Sequence, residues 1–248
     1  MFHALPRLFR RACVTAALLL AGVNAATTAE VAERRVLGFS QDGRYFAFMQ
    51  YGTHDATGAP YADLFVVDLE RDAFMPGTPL RVRYGERPVP LARALAELKR
   101  RGRAILSRLG PLLPGRIMAS RTAMQAGAGD PRELHFYSNY NLRIPSHMVS
   151  YRVRPLRVPA AAECSRMNAV GMILLEKWAS GSWRPVYEDM RVPRSRHCPR
   201  RYELADVIAG PQMDNPLWHV VLVRYFRPGF EGLDGRYLAI PVRIRERK

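Results

Sequence analysis

Apolar and polar residues alternate over short stretches through most of the chain, and turn residues separate these stretches. A period of two, rich in β-branched and aromatic residues, predicts strands. The candidate strands lie at 45–48, 63–69, 80–83, 134–137, 148–153, 170–178, 183–187, 202–208, 218–226 and 237–244. Because consecutive strands with short connections pair antiparallel, the pattern predicts a mainly β fold of antiparallel sheets, either propeller-like or sandwich-like.

A helical period replaces the strand period between about residues 88 and 110. Its apolar residues fall on one stripe of a helix: Leu91, Leu95, Leu98, Ile105, Leu106 and Leu109. Basic residues fill most of the remaining circumference. Such a helix can pack on a sheet or lie on an anionic membrane. Because Gly102 on the stripe favours close packing against another backbone, we expect one inserted amphipathic helix whose stripe belongs to the core; association with a partner through its basic face is the alternative.

The first 25 residues have the pattern of a secretory signal peptide. Arg7, Arg10 and Arg11 precede an uncharged run at 12–23, and Ala25 ends a short small-residue segment. The run has about 12 residues, short of the roughly 20 needed to cross a bilayer. A permanent amphipathic anchor is the alternative. We therefore expect residues 26–248 to form a single secreted or periplasmic domain, soluble and without a transmembrane segment.

Two cysteines, Cys164 and Cys198, remain after the predicted cleavage. Cysteines of exported proteins most often pair, because the compartment is oxidising. A metal or redox site would need a Cys-x-x-Cys pair or histidines at ligand spacing, and only His197 lies beside Cys198. The sequence therefore predicts a structural disulfide between Cys164 and Cys198.

Positive charge dominates the chain, with 38 Lys+Arg against 22 Asp+Glu and a formal net charge of +16. Three segments place two arginines on one face of a strand; these candidate anion-binding residues are Arg81, Arg83, Arg152, Arg154, Arg243 and Arg245. Guanidinium groups bind phosphate or carboxylate in a bidentate manner. Outside the cytoplasm the available anions are anionic lipid, lipopolysaccharide, acidic glycans and acidic envelope proteins, whereas nucleic acid is a poor candidate. A solvated basic surface without a specific ligand is the alternative.

Motifs for common catalytic sites are absent from the sequence. It contains no Gly-x-Ser-x-Gly, no His-Glu-x-x-His and no phosphate-binding glycine-rich loop, so no cofactor, metal or catalytic residue is predicted. An envelope hydrolase assembled from dispersed strands remains the alternative, with Glu188 or Asp189 acting together with His197. The preferred interpretation is a non-enzymatic binding protein for an anionic envelope component or a partner protein.

Two resemblances add to this interpretation. The segment 39–48, with its Asp42-Gly43 turn, and the following strand at 63–68 resemble one blade of a TolB-type or WD40-like β-propeller, and 234–240 repeats part of it. The signal peptide, the block 38–52, the segments 76–79 and 193–199, and 229–232 look together like a bacterial family of predicted secreted proteins bearing a domain of unknown function. The second resemblance implies export and a single domain, and it carries no activity or catalytic residues.

Overall fold

The computed structural model describes residues 30–85, 89–121, 129–138, 147–212 and 216–244. Strands dominate these residues and form three antiparallel sheets, with one long helix inserted between strands. The predicted mainly β fold with an inserted helix is confirmed. The predicted signal peptide at 1–25 and Arg245 lie outside the described residues.

Sheet I contains β1 (Glu33–Phe39), β2 (Tyr45–Thr53), β3 (Pro60–Asp68), β4 (Ala73–Phe74) and β5 (Leu80–Arg83), with both β4 and β5 paired to β3. The helix α1 (Leu91–Ser107) follows. Sheet II contains β7 (Glu133–Tyr137), β8 (Met148–Leu156), β9 (Gly171–Trp178) and β10 (Arg184–Glu188) in that spatial order, with the short helix α2 (Ala162–Arg166) between β8 and β9. Sheet III has the order β6 (Arg116–Ser120), β11 (Arg201–Ala209), β12 (Trp218–Pro228) and β13 (Leu233–Arg243).

Sheet III is the middle layer of the molecule. On β12, Val221 and Val223 belong to the core shared with sheet II, whereas Val220 and Leu222 belong to the core shared with sheet I. Burial on both faces explains why 220–223 is an uninterrupted apolar run rather than an alternating one. The layered packing agrees with the sandwich-like alternative.

The propeller-like resemblance is not confirmed. Asp42-Gly43 forms a turn before β2, with Gly43 at φ +70°. Asp234-Gly235 instead lies inside β13, where it pairs with Phe226 and Arg227 of β12. The two similar sequence segments therefore occupy different structural positions, in different sheets.

The apolar stripe of α1 packs on the outer face of sheet I. Ala94, Leu98 and Gly102 are buried, and Leu98 contacts the cluster that contains Leu64 and Val82. A Cβ added at Gly102 would lie 2.9 Å from Leu64 Cδ2, so a larger residue here would force the Leu64 side chain or the helix to shift. The basic side chains of the helix are exposed. The stripe therefore belongs to the core, as predicted. No helix among the described residues has both the length and the apolar character needed to traverse a bilayer.

The predicted disulfide between Cys164 and Cys198 is present. Cys164 lies in α2, and Cys198 follows a 3-10 turn at Arg194–Arg196. The bond therefore fastens the connection between β10 and β11 to α2. This connection, residues 189–200, forms one wall of the cleft described next.

Candidate functional site: a cationic cleft

A cleft of about 250 Å³ opens between sheet I, the edge strand β13 and the connection 189–200. We call it the cationic cleft. Five arginines line it: Arg81, Arg83, Arg196, Arg227 and Arg236. Aromatic side chains of sheet I, including the half-exposed Phe74, form the apolar part of its wall.

Strand alternation in sheet I directs the first two arginines into the cleft. On β5, Val82 is buried under α1, whereas Arg81 and Arg83 line the cleft. The neighbouring β3 follows the same rule, since Leu64 faces α1 and Asp63 lines the cleft. The sequence pair Arg81/Arg83 therefore does place two guanidinium groups on one side of the sheet.

Two of the five guanidinium groups are neutralised by buried carboxylates of the sheet region. Arg83 donates to both oxygens of Asp63, at 2.6 and 3.0 Å. Arg236 is almost fully buried and forms an ion pair of 2.7 Å with Glu30. These pairs satisfy charges that would be costly to bury alone.

Arg196 is neutralised in the same way and is held more tightly. Its guanidinium donates to both oxygens of Asp189, at 2.5 and 3.0 Å, and to the Tyr187 hydroxyl at 2.9 Å. Asp189 also accepts from the Met172 backbone N–H at 2.8 Å. Burial acts to lower the pKa of Arg196, but the phenol groups of Tyr202 and Tyr187 and the carboxylate of Asp189 outweigh it and raise that pKa. Arg196 therefore fixes the cleft wall.

The guanidinium groups of Arg81 and Arg227 are held by carboxylates less closely than those of the other three cleft arginines. Arg81 is exposed and forms no ion pair with a carboxylate of the described residues. Arg227 meets Asp234 only at 3.7 Å, which exceeds hydrogen-bond distance. Both act on the imidazole of His197, whose pKa is lowered first by burial and then by Arg227 and Arg81. Within the described part of the chain, the cleft thus keeps one guanidinium group without an ion pair, that of Arg81, and one with only a long ion pair, that of Arg227.

One carboxylate opposes this positive charge from across the cleft. Asp72 lies in the turn between β3 and β4 with φ +46° and lines the cleft. The residue as a whole is exposed, yet the protein around its carboxyl group raises its pKa by desolvation, with Arg196 acting in the opposite direction. No ion pair of Asp72 with a described residue accompanies this shift. Its charge therefore disfavours a second anion nearby.

The backbone at the cleft wall is strained where the wall meets the disulfide. His197 and Cys198 adopt left-handed φ angles of 50° and 59°. Non-glycine residues in this region cost of order 1–3 kcal/mol each and persist where the surroundings enforce them. The bond from Cys198 to Cys164 and the Arg196–Asp189 pair provide that enforcement on either side of His197.

The other predicted anion-binding arginines lie elsewhere. Arg152 and Arg154 flank the buried Val153 on β8 and therefore face away from the core. Arg152 is already engaged, by Glu133 at 2.6 Å and by the Trp183 ring at 4.2 Å. Arg243 lines a separate edge groove between β10 and β13, formed with Arg184, Leu217 and Ile244. Among the five of these six arginines that the structure describes, only Arg81 and Arg83 line the cationic cleft, so these arginines do not converge on one site.

The three residues of the hydrolase alternative have different surroundings in the structure. Asp189 is buried against Arg196, and Glu188, the adjacent residue, is exposed. Of these three residues, only His197 lines the cationic cleft. The described residues contain no group of three or more His, Cys, Asp or Glu side chains placed to hold a metal ion.

A second polar cluster, which the sequence did not indicate, is buried between sheets II and III. The Tyr151 hydroxyl donates to Glu176 at 2.8 Å and lies 2.9 Å from Nδ1 of His219. Burial lowers the pKa of His219 to about 4. Arg184 neutralises Glu176 from the sheet edge. Tyr151, Glu176 and His219 are closed off from solvent, so we assign this cluster to the core.

The sequence also missed Arg196, Arg227 and Arg236 as cleft residues. Arg196 could have been suspected, because it lies two residues before a cysteine expected to be bonded. Arg227 and Arg236 carry no local signal, since their place depends on how β12 and β13 pack beside sheet I.

Comparison with known proteins gives one family and no individual relative. No curated protein and no solved structure matches the chain. One family matches over residues 47–243, a range that contains most of β2, all of β3 to β13 and the arginines of the cationic cleft. By that match the chain belongs to the family described as predicted secreted protein (DUF2259).

Proposed function

We propose that this secreted protein is a non-enzymatic binding protein that holds an anionic group of an envelope component or partner in the cationic cleft. The observation that carries the proposal is the contrast among the cleft arginines. Arg83, Arg196 and Arg236 are neutralised by carboxylates at hydrogen-bond distance, whereas Arg227 has only a long ion pair with Asp234 and Arg81 has no ion pair among the described residues.

The two kinds of arginine have different consequences for a ligand. A guanidinium group whose donors already bind a carboxylate offers little to a second anion, whereas one whose donors are free of a carboxylate hydrogen bond can take phosphate or carboxylate with charge-assisted hydrogen bonds. The partly enclosed wall reduces screening by water and salt compared with an open surface. Arg81 and Arg227 are therefore the groups expected to contact the ligand.

The size of the cleft limits what can enter. Sites for drug-sized molecules measure roughly 300–1,000 Å³, and the cationic cleft measures about 250 Å³. It fits a phosphate or carboxylate with a few attached atoms rather than a whole lipid or polymer. The rest of a larger ligand would remain outside the cleft.

Titration of the oxidised chain 26–248 with inorganic phosphate and, separately, acetate tests the proposal. We expect saturable binding at low ionic strength, with shifts of the Arg81 and Arg227 side-chain Nε–H resonances. The double variant Arg81→Gln/Arg227→Gln should weaken binding by about tenfold or more, because it removes charge-assisted hydrogen bonds.

A matched control removes the same charge from a different surface. Lys99→Gln/Arg103→Gln lies on the exposed face of α1 and should leave phosphate and acetate affinity nearly unchanged. Equal weakening by both double variants would show that net charge alone attracts the anion, and the proposal would be wrong.

A further inference from the structure

The free edge of β13 runs along the cationic cleft. β13 pairs with β12 on one side, and Tyr237 to Ile240 line the cleft. On the free side, Gly235 donates its N–H to Glu30 O at 2.7 Å and accepts from Ala32 N–H at 3.0 Å. Because peptide groups alternate in direction along a strand, residues 237, 239 and 241 also direct their peptide groups to this free side.

The backbone nitrogens of residues 237, 239 and 241 differ in their hydrogen bonding. The Tyr237 N–H donates to the side-chain oxygen of Gln50 at 2.8 Å. Pro241 has no N–H to donate. Between them, the Ala239 N–H has no hydrogen-bond partner among the described residues. The strand edge is therefore closed on both sides of Ala239 and open at that one residue, inside the cleft.

Three kinds of group thus meet in one place: an open strand edge, an apolar wall and two cations without a carboxylate at hydrogen-bond distance among the described residues. The wall includes Phe65 and Phe74, and the Phe74 side chain is 47% exposed. An exposed aromatic ring beside a polar rim is typical of a surface that contacts a partner. Arg81 and Arg227 line the same cleft.

We propose that the cationic cleft takes an extended acidic segment of a partner protein, which forms one β-bridge with Ala239 and places a carboxylate on Arg81 and Arg227. This inference rests on the proposed anion-binding function and specifies the class of ligand. An extended peptide offers a carbonyl acceptor for the Ala239 N–H and an N–H donor for its carbonyl, together with side chains for the aromatic wall. A phosphate headgroup offers acceptors but lacks the donor and the apolar part.

The surroundings of β13 fit a short segment better than a full added strand. Further along the edge, Pro241 borders the edge groove, and Pro185 lies on the facing strand β10. Prolines on edge strands prevent continuous strand addition. Arg243 in that groove provides a cation for a second acidic residue beyond the bridge.

A capped short peptide that alternates glutamate and valine is the probe. We expect it to bind the oxidised chain 26–248 saturably and to slow hydrogen exchange of the Ala239 amide by about tenfold or more, since a β-bridge replaces solvent at that amide. Amides of Leu238 and Ile240, which point toward β12, should change little. Arg81→Gln/Arg227→Gln should weaken peptide binding by about tenfold.

Two companion titrations separate this inference from the proposed function. If phosphate binds the cleft but the peptide fails to bind, or binds without protecting Ala239, the peptide assignment is wrong and anion binding stands. If vesicles containing phosphatidylglycerol shift the Arg81 and Arg227 resonances and the peptide does not, the ligand is a lipid headgroup and the inference is overturned. Failure of phosphate, acetate and peptide together would overturn both.

A protein variant gives independent support. Ala239→Pro removes the one open donor while keeping every arginine, so peptide binding should fall by about tenfold and phosphate binding should persist. Retained peptide affinity in this variant would contradict the proposed bridge. Because the wild-type exchange measurement needs no substitution, the inference stays testable even where the variant folds poorly.

Discussion

The two faces of sheet I are made by the same strands and have opposite characters. On the face under α1, Ala62, Leu64 and Val82 are buried among aliphatic side chains. On the face toward the cationic cleft, Asp63 and Arg81 occupy the intervening positions. The part of one face that α1 covers is apolar and supports the fold, whereas the other face gathers charge in the cleft.

The arginines on the charged face differ in whether a carboxylate neutralises them. Arg83 is paired with the buried Asp63, and Arg81, two residues earlier, has no ion pair among the described residues. A paired arginine stabilises the surrounding structure, and an unpaired one is available to a ligand. Whether a carboxylate neutralises an arginine decides whether that arginine stabilises the fold or is available to a ligand.

The largest effect is expected where a buried charge loses its partner. Asp189→Asn leaves the buried Arg196 without a counter-charge, and breaking a buried pair in this way costs about 3–5 kcal/mol of unfolding free energy. Urea denaturation measures the loss. Glu188→Gln at the exposed neighbouring position is the control and should change stability by less than about 0.5 kcal/mol. Similar losses for both variants would show that Arg196 is not a structural residue of the cleft.

The packing between α1 and sheet I should lose stability when a buried side chain is shortened. Leu98→Ala removes a fully buried side chain between α1 and sheet I, which we expect to cost about 2–5 kcal/mol. Lys99→Ala, the adjacent exposed position, is the matched control and should stay within about 0.5 kcal/mol. Phosphate affinity of the folded Leu98→Ala protein should be unchanged; a loss of affinity would mean that the two faces are coupled.

Removing the disulfide should affect both stability and binding. Cys164→Ser/Cys198→Ser releases a closure between positions 34 residues apart in sequence, and we expect a loss of about 2–4 kcal/mol in thermal or urea unfolding. Because the connection 189–200 then loses its fastening to α2, anion affinity should also fall. Affinity equal to that of the oxidised protein would show that Arg196–Asp189 holds the wall alone.

The smallest effect concerns pH. Asp72, whose pKa is raised by desolvation against the influence of Arg196, repels an anion when ionised. His197, whose pKa is lowered by burial, Arg227 and Arg81, is neutral near pH 7. Protonation of either group makes the cleft more positive, so anion affinity should rise as the pH falls below neutral.

Asp72→Asn isolates the carboxylate's share of this pH dependence. Removing one charge near the ligand is worth about 1 kcal/mol in a well-hydrated site, so affinity at neutral pH should increase by about fivefold and its dependence on pH should flatten. Calorimetric titration at several pH values measures both. Weaker binding by Asp72→Asn would place the anion away from this carboxylate.

Local patterns were sufficient for α1, for most of the strands and for the disulfide, but they did not indicate β4, β6 or the short helix α2. The period of 91–109 predicted α1 and its buried stripe, and the surviving cysteines predicted their own pairing. Alternation on β5 correctly placed Arg81 and Arg83 on one side. These features depend on neighbouring residues or on very few candidates, so one sequence carries them.

The cleft itself depends on distant contacts. Whether an arginine is neutralised follows from partners such as Asp63 for Arg83 or Glu30 for Arg236, which are separated along the chain and meet only after the sheets form. The same dipeptide gave a turn at Asp42-Gly43 and a strand at Asp234-Gly235, because only the latter pairs with a neighbouring strand on β12. Strand pairing with β12 overrode the local turn preference of the Asp234-Gly235 dipeptide.

The position of the disulfide links the competence of the cleft to the place where the protein matures. The bond fastens the wall that carries Arg196 and His197, and such bonds persist only in oxidising compartments. A reduced chain would lack this clamp. If the cleft binds an anion as proposed, its wall would be fastened only after the protein leaves the reducing cytoplasm.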